Sequence, residues 1–127
     1  MTALSSSVHL HARPETKEQL LRFFTEVRGV NVAAAAKAYI RSPDPMYAVT
    51  FSNGATLSVE FAQDALSDRQ AQRGAWFELR ANDAEALQER RRRSGSKEWF
   101  TRTPRVFYTQ APGGQVLRIV SDWTRER

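Results

Sequence analysis

Residues 75–80, Ala75-Trp76-Phe77-Glu78-Leu79-Arg80, alternate apolar and polar side chains in the same way as Val8-His9-Leu10-His11-Ala12 near the start of the chain. A period of two is the signature of a strand with one buried face. Val8, Leu10 and Ala12 therefore share one face and His9 and His11 the other. In the later stretch Phe77 and Leu79 oppose Trp76, Glu78 and Arg80. Each strand is followed by a capped helix. Thr16 caps a helix running to Arg28, with Leu20, Phe23, Phe24 and Val27 at helical spacing and Gly29 closing it. Asn82 or Asp83 caps a second helix running to Arg93, closed by Gly95. His9 and Trp76 are 67 positions apart and the two closing glycines 66 apart, so the chain reads as a duplication.

Each half then ends in hairpin strands. Val30 to Ile40 is divided between two signals: the alanines at 33–36 favour helix by propensity, while Val30, Val32, Ala34 and Ala36 alternate. The alternation predicts a strand. Ser42-Pro43-Asp44-Pro45 is a loop. Tyr47, Val49 and Phe51 alternate, Ser52-Asn53-Gly54 is a hairpin turn, and Leu57, Val59 and Phe61 alternate again with Ser58 and Glu60 opposed to them. In the second half Arg105 to Gln110 is a strand, Ala111-Pro112-Gly113-Gly114 a tight turn, and Val116 to Ser121 the last strand. There Leu117 and Ile119 oppose Val116, Arg118 and Val120. Trp99-Phe100 has no clear pattern, and Thr124 to Arg127 is a charged tail. The expected organisation is one α+β domain over residues 1–127, with a first module at 6–62, a polar linker at 63–73 and a second module at 74–123.

At 127 residues the chain buries about two-thirds of its unfolded surface. It contains no cysteine, which excludes disulfides, thiolate metal sites and a cysteine nucleophile and fits a reducing compartment. No apolar run approaches the ~20 residues of a membrane span, and Met1 to Ser7 does not read as a secretory signal. The expected location is cytoplasmic. The net charge of +5 favours an anionic partner, but much of it sits in the run Arg90, Arg91, Arg92 and Arg93. Such a run reads as a solvated helix end, where cations are favourable. No groove-entering motif accompanies it, so a nucleic-acid partner is not expected. Glycine-rich nucleotide loops, His-Glu-x-x-His and Gly-x-Ser-x-Gly are all missing from the sequence.

Three stretches resemble the vicinal oxygen chelate superfamily of glyoxalases, bleomycin-resistance proteins and extradiol dioxygenases. Phe23-Phe24-Thr25-Glu26-Val27-Arg28-Gly29 is similar to its Phe-Tyr-x-acidic-Val-Leu-Gly helix end. His9 stands fourteen residues before the first of those aromatics, as in many members. Ala111-Pro112-Gly113-Gly114-Gln115-Val116-Leu117-Arg118-Ile119 resembles its Asp-Pro-x-Gly-Asn hairpin and last strand. The resemblance implies two βαβββ modules whose curved mixed sheets form a concave cup, a small-molecule site in that cup, and a homodimer. It also implies metal-ligand positions at His9, Glu60, Trp76 and Arg118. Trp76 has no lone pair to offer and Arg118 is a fixed cation, so half of that set is chemically unsuitable.

The reading that follows is a small-molecule-binding protein without a metal or other cofactor. Its ligand-binding residues are His9, His11, Glu60, Trp76, Glu78 and Arg118, with Glu60 and His9 as the candidate catalytic pair. Glu60 pairs with Arg118, whose charge replaces that of a metal, and Trp76, with Phe107 or Tyr108, offers a surface for stacking. Each of these residues also has a plainer role open to it: His9 and His11 as solvated sheet residues, Glu60 as a surface acid, Trp76 and Phe107 as core. The alternative is a divalent-metal-dependent enzyme using His9 and Glu60, with His11 or Glu78 nearby.

Overall fold

The computed structural model describes residues 1–27, 29–34, 46–82, 86–89, 97–103 and 106–121, the segment 97–103 by its backbone. The chain divides into two units, Met1–Leu66 and Ser67–Arg127. In the first, β1 (Ser7–Ala12) leads through a single 3₁₀ turn (Pro14–Thr16) to helix α1 (Lys17–Thr25), then to β2 (Asn31–Ala34), β3 (Met46–Thr50) and β4 (Thr56–Phe61). The sheet order is β1-β4-β3-β2, with β1 parallel to β4 and the other pairs antiparallel. The second unit contains helix α2 (Asp68–Ala71), β5 (Trp76–Ala81), β6 (Lys97–Thr103), β7 (Val106–Gln110) and β8 (Val116–Ser121). Residues 86–89 between β5 and β6 are helical. Its sheet order is β5-β8-β7-β6, with β5 parallel to β8. The two units therefore share the expected βαβββ connectivity.

Alternation decides which face of each sheet carries the core. In β4 the buried residues are Leu57, Val59 and Phe61. Their strand neighbours Val8, Leu10 and Ala12 point the same way, because paired residues share a face. Leu20 and Phe24 of α1 are buried, and Phe24 meets Phe51 edge to face. Burying such a Leu or Phe stabilises the fold by about 1.5–3 kcal/mol each. With the apolar face claimed, His9, His11, Ser58 and Glu60 are left on the other side of the first sheet.

The helix departs from expectation at both ends. Thr16 does not cap it: its backbone is already helical and its hydroxyl donates to the Arg13 carbonyl at 2.7 Å. Pro14 fixes the 3₁₀ turn that replaces the cap. The helix stops at Thr25 rather than Arg28, and Gly29 turns the chain at φ +79°. The strand expected from Val30 is present as β2, and Trp99-Phe100 belongs to β6. Residues 35–45, the arginine run and most of the second expected helix lie outside the described residues.

The expected linker at 63–73 contains α2. Ser67 accepts from the Gln70 amide while the Gln70 side chain accepts from the Ser67 amide, a complete capping box. This short helix sits against the β7–β8 turn. The Gln110 side chain, 3% exposed, donates to the Asp68 carbonyl and to that of Gly114.

The two hairpin turns are built alike. The Phe51 amide donates to Ala55 and the Gly54 amide to Phe51; in the second unit the Ala111 amide donates to Gln115 and the Gly114 amide to Ala111. Gly54 and Gly114 therefore occupy equivalent places, both at positive φ. It follows that Thr56 corresponds to Val116, Ser58 to Arg118 and Glu60 to Val120. Ser7 pairs with Thr56 and Trp76 with Val116, so His9 corresponds to Glu78. The sequence offset, which matched His9 to Trp76, is two residues out of register.

Candidate functional site

On the first sheet, strand pairing sets His9 opposite Ser58 and His11 opposite Glu60. His9 reaches diagonally, placing Nε2 3.1 Å from Glu60 Oε1, while His11 Nε2 lies 3.6 Å from the same oxygen. The two imidazoles meet edge to face, 4.9 Å between centroids. Glu60 is 13% exposed in its side chain, against 39% and 55% for His9 and His11. The β3 residues paired with Ser58 and Glu60 are Ala48 and Met46, and the alanine leaves room over this face. An open hollow of about 460 Å³ borders His11 and Glu60, with Ala62, Asp64, Ala65 and Leu66 as its other walls.

Ser58, which sequence reasoning left without a role, completes the cluster. Its Oγ lies 2.7 Å from His9 Nδ1. An ionised carboxylate only accepts hydrogen bonds, so in neutral His9 the nitrogen facing Glu60 carries the proton. Nδ1 then accepts from the Ser58 hydroxyl. Ser58 is also within 3.5 Å of the Val8 carbonyl, so its hydroxyl has a second acceptor available.

These residues fit a divalent ion. One ligand atom each from His9, His11 and Glu60 lies within 4.8 Å of the others. Two imidazoles and a carboxylate on two adjacent strands are a common three-ligand set that leaves a position open. His9 would then turn its Nδ1–H to Ser58, which would donate in turn to Val8.

On the second sheet, Glu78 and Tyr108 flank Arg118 in register, so three strands present them side by side. Arg118 Nη1 donates to Glu78 Oε1 at 3.0 Å, and Arg80 Nε lies 3.3 Å from Oε2 of the same carboxylate. The guanidinium carbon stands 5.8 Å from the Trp76 ring centre and 6.0 Å from that of Tyr108, within cation–π range. Trp76 is 46% exposed and Phe107 1%, so the tryptophan faces solvent and the phenylalanine belongs to the core. Val116 and Val120, expected on the open face beside Arg118, are buried.

The candidate residues thus form two clusters, one in each unit: His9, His11 and Glu60 in the first, and Trp76, Glu78 and Arg118 in the second. The expected pairing of Glu60 with Arg118 joins different units; within its own unit each finds other partners.

A strand-helix-strand-strand-strand unit present twice, with a polar sheet face in each, defines a duplicated α+β fold. Solved structures place it more narrowly. Glyoxalase I of Leishmania major, a trypanothione-dependent enzyme, is similar at a TM-score of 0.75 with 10% identity, over 98% of this chain and 91% of the enzyme. A glyoxalase/bleomycin resistance protein/dioxygenase domain from Frankia gives 0.69 and 12%, over 95% and 93%. A mutant of the fosfomycin resistance protein FosX of Listeria monocytogenes, complexed with Mn(II) and a dihydroxypropylphosphonic acid, gives 0.62 and 13%, over 95% and 92%. No protein-family model and no curated sequence matches the chain. The fold is that of the vicinal oxygen chelate superfamily, as the sequence motifs implied. Among the described residues no helix is long and apolar enough to cross a membrane.

Proposed function

We propose that the chain is a small-molecule-binding protein of the glyoxalase/bleomycin-resistance type, with its centre at Glu60 and its two imidazoles. One observation carries this reading. A largely buried carboxylate that contacts His9 and His11 through one oxygen borders an open hollow large enough for a metabolite. His9 Nε2–H donates to Glu60, so the carboxylate has a hydrogen-bond partner without a metal ion. The places equivalent to His9 and Glu60 in the second unit are Glu78 and Val120; valine has no ligand atom, and Glu78 is already held by Arg118 and Arg80. Glu60 and His9 are the groups placed to move a proton on a bound ligand. A homodimer in the cytoplasm belongs to the same reading.

A second reading, a divalent-metal enzyme, is favoured by the convergence of the three donor atoms within 4.8 Å. A neighbour of the same fold holds Mn(II). The bound ion would polarise a ligand oxygen, while Glu60, His9 and His11 hold it and Ser58 orients His9.

Calorimetric titration of zinc and manganese into the chelator-treated full chain separates the two. Uptake of about one equivalent that Glu60→Gln abolishes, together with glyoxalase-type turnover, establishes the second. No uptake, with small-molecule binding that Glu60→Gln weakens, establishes the first. Ligand binding indifferent to Glu60, His9 and His11 overturns both.

A further inference from the structure

The second unit carries a recognition site of its own. We infer that Arg118, standing over both Trp76 and Tyr108, binds the carboxylate of a planar, singly charged organic anion, whose ring system lies against Trp76. This rests on residues separate from the Glu60 cluster and stands or falls independently of it.

Glu78 is engaged through both of its oxygens, Oε1 with Arg118 and Oε2 with Arg80. Among the described residues, two guanidinium groups against one carboxylate leave a single net positive charge on this patch. They also leave donors over. Arg118 uses Nη1 on Glu78, and its Nε is buried with no hydrogen-bond partner among the described residues. A buried donor without a partner costs free energy, so turning the Nε–H outward to meet a ligand oxygen is favoured. A guanidinium offers a planar fork that matches a carboxylate in both spacing and plane.

The surroundings then select the rest of the ligand. Trp76 leaves almost half of its surface open, and it stands at right angles to Tyr108, 5.6 Å away. Two rings meeting edge to face, with a cation over both, make a corner into which a flat ring fits by stacking. Val116 and Val120, on either side of Arg118 along β8, are buried. Glu78 sets the upper limit of charge: a dianion such as a phosphate monoester would gain one neutralised cation but face this carboxylate at close range. The flat monocarboxylate is the class that satisfies all four features.

The test uses 2-naphthoate as the probe, with 2-naphthamide and cyclohexanecarboxylate as controls for charge and flatness, measured by calorimetry on the full chain. Saturable naphthoate binding is expected, with both controls weaker by about tenfold or more. Arg118→Lys keeps the charge and loses the fork; Trp76→Leu removes the ring from an exposed position without disturbing the core. Each should weaken naphthoate by about tenfold, whereas Glu18→Gln, on the exposed side of α1, should leave it unchanged. Circular dichroism confirms that the variants fold. Equal affinity for naphthoate and naphthamide, no binding at all, or indifference to both substitutions overturns the inference. Loss of binding in Glu60→Gln alone also overturns it, and would move the ligand to the first sheet in support of the function proposed above.

Discussion

His9 Nε2 lies 3.1 Å from Glu60 Oε1, although the strand partner of His9 is Ser58 and that of Glu60 is His11. The diagonal contact brings both imidazoles to one carboxylate oxygen and leaves His9 Nδ1 to Ser58. In neutral His9 the proton therefore sits on Nε2, with Ser58 as donor to Nδ1. Nitrogen-15 spectra of the imidazoles should show the Nε2–H tautomer for His9. Observation of Nδ1–H in the chelator-treated protein would mean that Ser58 is an acceptor and that Glu60 is not paired as the geometry requires.

The same contact sets the order of effects if an ion binds. Three ligands acting together each contribute several kcal/mol, by comparison with roughly 10–16 kcal/mol for four-ligand structural zinc sites. Glu60→Ala, His9→Ala and His11→Ala should each lower zinc affinity by at least about a hundredfold on that scale. Ser58→Ala, which removes only the orienting hydroxyl, should lower it about tenfold. Because the imidazoles must give up protons to ligate, zinc uptake should release protons, and acid should weaken it. Titration in two buffers of different ionisation enthalpy measures that release directly.

Glu78 holds Arg118 and Arg80 together while reducing their charge. Glu78→Gln should therefore raise the affinity for 2-naphthoate several-fold at low salt, and the gain should fade as salt approaches ~1 M, where the screening length is about 3 Å. Weaker binding in this variant would show that Glu78 orients the guanidinium more than it competes with the ligand.

Much of this was legible from alternation alone. Val8 to Ala12, Leu57 to Phe61 and Trp76 to Arg80 sort their polar residues onto one face because a strand has only two faces. The polar faces carrying His9, His11, Glu60 and Glu78 follow directly. Cross-strand register was not legible, because pairing depends on where the turns fall. Matching Gly54 to Gly114 would have identified Ser58 with Arg118, since both glycines close the same turn; matching His9 to Glu78 needs the strand pairing as well. Ser67 and Gln70 at capping-box spacing also announced α2, but the polarity of 63–73 hid it. The diagonal reach of His9 and the cation between Trp76 and Tyr108 belong to side-chain geometry, on which periodicity is silent.

The turn equivalence makes a stability prediction in which one glycine controls for the other. Gly54 and Gly114 have φ of +88° and +103°, so alanine at either position is strained by about 1–2 kcal/mol. At Gly54 an added Cβ meets nothing within 4 Å, and strain should be the whole effect. At Gly114 it would come within 2.9 Å of the Ala71 Cβ and 3.4 Å of the Asp68 Cα, both on α2. That helix cannot retreat without breaking the bond from Gln110 to the Asp68 carbonyl, which leaves a buried amide donor unpaired at a further cost of about 1–3 kcal/mol. Urea denaturation should therefore place Gly114→Ala below Gly54→Ala in stability by at least about 1 kcal/mol. In Gly114→Ala combined with Ala71→Gly, which removes the clashing methyl, most of that difference should disappear. Equal loss in the two single variants would mean that α2 does not pack on the β7–β8 turn in solution.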